Sequence, residues 1–149
     1  IYQRLIWVFI RNILMGGENV LHIDTDAFVF MDPWTLYKPT EFSNMDLIAT
    51  CDCFGPGCVE WGCSLNPGVM FFRSSDEMLQ VIDGILHIWD TGQAPRDEHL
   101  MSDMFMLNAF LVKRGCRWKN AVFRTAKCGG LNVALVKGHV ERGHTCTSR

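Results

Sequence analysis

An α/β domain with a largely parallel sheet is the fold class this sequence predicts, on three observations. Short apolar runs of strand character alternate with segments whose apolar residues recur near a 3.6-residue period. No repeat, low-complexity tract or linker-like shift in composition divides the chain. Finally, 149 residues, 48% hydrophobic and 20% charged, suffice for one substantial core and not for two. A single domain over residues 1–149 is expected, with helices flanking the sheet.

The elements follow in order. The opening IYQRLIWVFIRNILMGG reads as a buried helix that stops at the glycine pair Gly16 and Gly17. Its apolar run from Leu5 is broken by Arg11 and Asn12. That is too short to span a bilayer, so no membrane contact is expected within these residues. Residues 19–23 form a strand ending at Asp24. Asp32 caps a brief helix with Pro33 at its first position. Residues 46–50 make a second strand, the Gly-, Pro- and Cys-rich stretch 51–67 a loop, and residues 69–72 a buried strand. Helices are expected over 77–89 and 97–112, and the last strands over 118–123 and 131–136. A chain that starts inside a core helix and halts soon after a strand reads as truncated at both ends.

The net charge is −2 and no basic run is present. Such a surface is not built to track a polyanion, so nucleic acid is excluded as a partner. A phosphorylated ligand would need a local device such as a metal ion. Seven cysteines are many for a reducing compartment, and Cys51, Cys53, Cys58 and Cys63 crowd into CDCFGPGCVEWGC. Disulfides formed in a secretory compartment are the leading reading. A structural zinc site ranks second, because the spacing is not a familiar ligand pattern. Buried free thiols complete the alternatives for a set that includes Cys116, Cys128 and Cys146.

Asp24-Thr25-Asp26 carries the chemistry. In an extended segment its two carboxylates lie on nearly one side, roughly 6.5–7 Å apart along the chain. Hard cations such as Mn²⁺ or Mg²⁺ take oxygen ligands, often one or two protein carboxylates completed by phosphate oxygens. The triplet alone is weak, since a shuffled chain of this composition would hold about 0.7 such pairs. Its plain alternative is a polar turn closing a strand. Position at the carboxyl end of a strand, where α/β sheets open their ligand crevice, favours the metal.

Asn66-Pro67-Gly68 is the second feature. Glycine lets backbone approach a ligand closely, and an Asn amide can donate to and accept from sugar hydroxyls. A tight turn entering the following strand is the alternative. Asp97 and Glu98 stand at the start of a predicted helix, where acidic groups also favour the helix dipole. His22, inside the strand before the acidic pair, reads as a packed core residue. Trp34, Trp61, Trp89, Phe71 and Phe72 read as core, with Trp61 a candidate sugar platform.

Taken together, NVLHIDTDAFVFMDP resembles the metal-binding segment of the GT-A nucleotide-diphospho-sugar transferases. It is closest to the group that includes plant and algal xylosyl-, arabinosyl- and galactosyltransferases. SLNPGVMFFRSS resembles the Asn-x-Gly loop and apolar strand of the same family. A looser third match places Asp97-Glu98, followed by apolar residues, where the family shows Asp-Gln, apolar residues and an Asn. The three motifs stand in family order, over roughly residues 1–136.

The resemblance implies a GT-A fold and metal-dependent transfer of a sugar from a nucleoside diphosphate sugar to a glycan or glycoprotein hydroxyl. It also implies retention of anomeric configuration and residence in the Golgi lumen, anchored through a segment outside this sequence. By it, Asp26 ligates Mn²⁺ or Mg²⁺, and Asp24 contacts the metal or the nucleotide ribose. Asn66 and Gly68 shape the sugar pocket, and Asp97 or Glu98 stands near the anomeric carbon. His139 or His144 is a candidate third metal ligand. The fragment is expected to be inactive alone. The rival is a non-catalytic interaction module, stapled by cysteines or holding zinc, in which the acidic pair is only a turn.

Overall fold

A computed structural model describes residues 2–27, 32, 42–52, 64–93, 103–116 and 124–136. Within them lie three helices and five strands: α1 (Tyr2–Met15), β1 (Val20–Ile23), β2 (Leu47–Asp52), β3 (Ser64–Phe72), α2 (Asp76–Asp90), α3 (Asp103–Lys113), β4 (Arg124–Cys128) and β5 (Leu131–Val136). Helices and strands mix in an α/β architecture, as expected. The predicted brief helix after Asp32 and the predicted strand at 118–123 lie outside the described residues.

The strands form one sheet in the order β1-β3-β2-β5-β4. It is mixed, which corrects the expectation of a largely parallel sheet: only β2 and β5 pair in parallel. The connections explain why. A parallel pair needs a crossover of a dozen or more residues, and α2 and α3 fall between β2 and β5. Residues 53–63 join β2 to β3, which pair antiparallel. Gly129 and Gly130, both at positive φ (54° and 106°), make the two-residue turn of the β4–β5 hairpin. Since β1 and β2 both run opposite to β3, and β5 runs with β2, the carboxyl ends of β1, β2 and β5 share one edge of the sheet.

Alternation along the strands sorts side chains to two faces. Leu47, Ala49, Met70, Phe72, Val133 and Leu135 join the helices in the main core. Ile48, Phe71 and Ala134 face the other way, onto Phe42. On the helical side, Met78, Val81, Ile82 and Ile85 of α2 are fully buried. Ser75 caps α2 by accepting a hydrogen bond from the Met78 N–H.

The first helix is amphipathic rather than buried all round. Trp7, Ile10 and Leu14 face the core, while Tyr2, Leu5 and Phe9 are exposed. Trp7 meets Phe72 edge-on with ring centroids 6.1 Å apart. Arg4–Asp90 and Arg11–Asp83 ion pairs join α1 to α2, and the Asp83 contact holds the Arg11 guanidinium above its ordinary pKa. The helix ends at Gly17 (φ 85°), as its glycine pair predicts.

The end of β3 remote from Asn66 is tied down separately. Arg73 Nε donates to the Met45 carbonyl, and Ser74 Oγ donates to the Leu14 carbonyl. The buried Asp46 carboxylate accepts from the backbone and side-chain N–H groups of Asn132. These contacts fix β3 and β5 in place, so the opposite end of β3 is presented by a rigid support.

Candidate functional site

Two motifs distant in sequence meet at the carboxyl end of β1. The β1–β3 ladder closes with Ile23 opposite Val69. One residue further, the Asp24 N–H donates to the Gly68 carbonyl at 2.9 Å. The chain then turns at once, with the Ala27 N–H donating to the Asp24 carbonyl at 3.0 Å. Asp24 and Asp26 therefore belong to a tight turn, not to the extended segment the sequence predicted. A turn displays both carboxylates at the strand mouth without needing the two-residue pleat. Asp24 is partly exposed and Asp26 exposed.

Asn66 and Gly68 do not lie in a loop, as the sequence reading had it. They lie within β3, at an irregularity where the partner of Ala49 is Met70 but that of Thr50 is Asn66. Residues 67–69 thus bulge off the β2 ladder. Pro67 suits such a place because it has no N–H to pair. The Asn66 Oδ1 accepts from the Gly68 N–H at 2.7 Å, an Asx-turn that holds the bulge. A Cβ on Gly68 would stand 2.9 Å from Asn66 Oδ1 and 4.0 Å from Asp24 Oδ2. Glycine leaves that space open between the Asn amide and the first carboxylate.

His22 joins this group, which corrects its reading as a core residue. Its Nε2 lies 3.1 Å from Asp24 Oδ1, with the imidazole half-buried. The His-x-Asp spacing was the available signal, since alternate strand residues share a face. Asn108 was also missed. Fully buried on α3, it bonds the backbone of Leu65, next to Asn66. A polar residue among Leu107, Leu111 and Met106 on a buried helix face is its signal.

Asp97 and Glu98 lie outside the described residues, as do His99, His139, His144, Trp34 and Trp61. Asp32 is exposed. Trp89 is partly buried against the core, and Phe71 and Phe72 are core residues, as expected. The Cys116–Cys128 disulfide ties the turn after α3 to the end of β4. Cys51 is disulfide-bonded too, whereas Cys53, Cys58, Cys63 and Cys146 lie outside the described residues.

The donor set suits a hard divalent cation. It comprises two carboxylates in a turn at an open edge, beside a space that a Cβ would fill. Among the described residues no three His, Cys, Asp or Glu side chains converge into a full metal cage. Two carboxylates completed by ligand phosphates are a known mode for Mg²⁺-like ions.

Comparison with known families decides the class. The family model described as nucleotide-diphospho-sugar transferase matches residues 2–148. The chain belongs to this family. It is a glycosyltransferase domain, with a nucleotide-sugar donor and a sugar acceptor. No curated protein and no solved structure matches the chain. For a nucleotide-diphospho-sugar transferase, the edge shared by Asp24, Asn66 and Gly68 lies where α/β sheets place their ligands. Among the described residues, no helix is long and apolar enough to cross a membrane.

Proposed function

We propose that this chain is the DxD-type GT-A transferase its motifs resemble, closest to the plant and algal xylosyl-, arabinosyl- and galactosyltransferase group. It transfers a hexose or pentose from a nucleoside diphosphate sugar to a hydroxyl of a glycan or glycoprotein, with retention of configuration, in the Golgi lumen. Its GT-A sheet is the mixed one described above. The observation that carries the reading is the junction of Asp24 with Gly68, which brings the acidic turn and the Asn-Pro-Gly bulge to one strand mouth.

In this reading Asp26 ligates Mn²⁺ or Mg²⁺, and Asp24 contacts the same ion or the donor ribose. Held by these two carboxylates, the cation would supply positive charge against that of the departing diphosphate. Asp24 is oriented from two sides: its backbone is pinned to Gly68 and its Oδ1 sits against His22. The Asn66 amide, whose Oδ1 accepts from the Gly68 N–H, is the group the resemblance places against the sugar. Gly68 keeps the sugar face of the pocket open. Asp97 or Glu98 takes the place near the anomeric carbon that the resemblance gives it. The cysteines form disulfides, as a lumenal protein permits.

Calorimetry with UDP, with and without Mn²⁺, tests this. Binding that requires Mn²⁺ is the expected result. Binding of zinc alone, with no response to UDP, would identify the chain as an interaction module instead.

A further inference from the structure

The buried side chain of Asn108 is not used by the function proposed above. It is wholly inaccessible, yet it makes two hydrogen bonds to a single residue of β3. Its Oδ1 accepts from the Leu65 N–H at 2.9 Å, and its Nδ2 donates to the Leu65 carbonyl at 3.0 Å. A primary amide offers a donor and an acceptor side by side, as a peptide unit does. Asn108 thus acts as one rung of sheet, supplied by a helix.

The place of that rung matters. β1 covers β3 only over Val69–Phe72, and the bulge at residues 67–69 interrupts the β2 ladder on the other side. Asn66, opposite Thr50, is therefore the last residue of β3 paired with β2 before the break. The residue just before Asn66, Leu65, stands opposite Cys51 of β2, and Asn108 fastens its backbone. From there the chain passes through Asn66, whose amide holds Gly68, to the carbonyl that receives the Asp24 N–H. A displacement at Leu65 is passed along this short path to the donor pocket.

We infer that Asn108 is a positioning residue for donor binding: it sets the Asn66-Pro67-Gly68 bulge against Asp24 without touching the substrate. This rests on the assignment of that bulge to the sugar donor. Asn108 also places α3 under control of the same rung. The helix that follows Asp97 and Glu98 in sequence is thereby locked to the bulge. A residue that only filled the core would be replaceable by an apolar side chain of similar volume. A positioning residue would not.

Asn108→Leu keeps the volume and removes both bonds, and Asn108→Asp keeps one acceptor and loses the donor. In the active enzyme, each should raise the donor KM about 10–100-fold, the range expected for a small misplacement of a binding group. The acceptor KM should stay within about twofold, and circular dichroism at the assay temperature should show a folded protein. UDP binding with Mn²⁺ should weaken in parallel. Lower thermal stability with unchanged donor KM and UDP affinity would overturn the inference and leave the proposed function standing. If the unsubstituted chain does not bind UDP with Mn²⁺, the function fails and the inference with it. Should neither variant fold, amide exchange on the unsubstituted chain decides. The Leu65 amide should exchange as slowly as that of Phe71 and more slowly still with UDP and Mn²⁺, whereas fast exchange, or no response to the ligand, would overturn the inference.

Discussion

The Asp24 N–H donates to the Gly68 carbonyl at 2.9 Å, one residue beyond the last pair of the β1–β3 ladder. That bond joins the acidic turn to the Asn-Pro-Gly bulge. Neither side of the site can move without the other, because each is an extension of a paired strand. The open space beside Gly68 follows from the same geometry, with Asn66 on one side and Asp24 Oδ2 on the other.

Gly68→Ala tests that space. The added Cβ would stand 2.9 Å from Asn66 Oδ1, closer than real Cβ contacts allow, so the Asn amide must swing away from the Gly68 N–H. The expected outcome is a donor KM raised about tenfold, with a stability loss near 1 kcal/mol. Steady-state kinetics beside a thermal melt would show it. An unchanged donor KM would mean that the space is not part of the donor pocket.

His22→Ala removes the partner of Asp24 Oδ1. The turn itself is held by backbone bonds and should persist. Turnover is expected to fall about tenfold, the effect seen when a group that orients a metal ligand is lost. His22→Gln, which can still donate to the carboxylate, should recover part of it. Equal activity of both variants and the parent would reduce His22 to packing.

Much of this was legible in the sequence. The glycine stop of α1, the 3.6-period of α2 and the apolar runs of β2, β3 and β5 mark elements whose local pattern agrees with their packing. The place of Asp24 at a strand end was readable because the apolar run of residues 19–23 leads straight into it. Other features depend on contacts between distant segments. The Asn66 bulge looks like a loop because glycine and proline break the period, yet flanking strands hold it in the sheet. The β4–β5 hairpin was missed although Gly129-Gly130 signals it, since β4 reads Arg-Thr-Ala-Lys-Cys with little apolar character. His22 reads as core until its partner Asp24 is in view, and Asn108 carries no reading at all without its partner, Leu65, which is distant in sequence.

The Cys116–Cys128 disulfide closes a short loop, with a sequence separation of 12. In the chain-entropy account such a loop contributes about 3 kcal/mol. The double replacement of Cys116 and Cys128 by alanine should lower the unfolding free energy by about 2–3 kcal/mol in denaturant titrations. A further linked peptide containing Cys51 is expected by mass spectrometry of protein made in an oxidising compartment. Free thiols at both Cys116 and Cys128 in such protein would defeat the expectation.

Trp7 is buried against Phe72, but its indole N–H has no hydrogen-bond partner among the described residues. Two effects oppose one another there. Trp7→Ala forfeits the ring and should cost about 3–5 kcal/mol. Trp7→Phe loses less volume and also removes the unsatisfied donor, whose burial costs about 1–3 kcal/mol, so it should be far milder. Chemical denaturation of both variants checks the order. A Phe variant as unstable as the Ala variant would show that the N–H is satisfied in solution.

The central claim is that the acidic turn holds the cation on which donor binding depends, and Asp26→Asn in the active enzyme tests it most directly. The change removes a negative charge while nearly preserving shape, at an exposed position that contributes little to stability. Turnover should fall at least about 100-fold and the Mn²⁺ dependence should be lost, with circular dichroism unaltered. Asp24→Asn should impair turnover less, and the exposed Asp32→Asn should leave it largely intact. Near-normal turnover of Asp26→Asn with an undiminished response to Mn²⁺ would contradict the account.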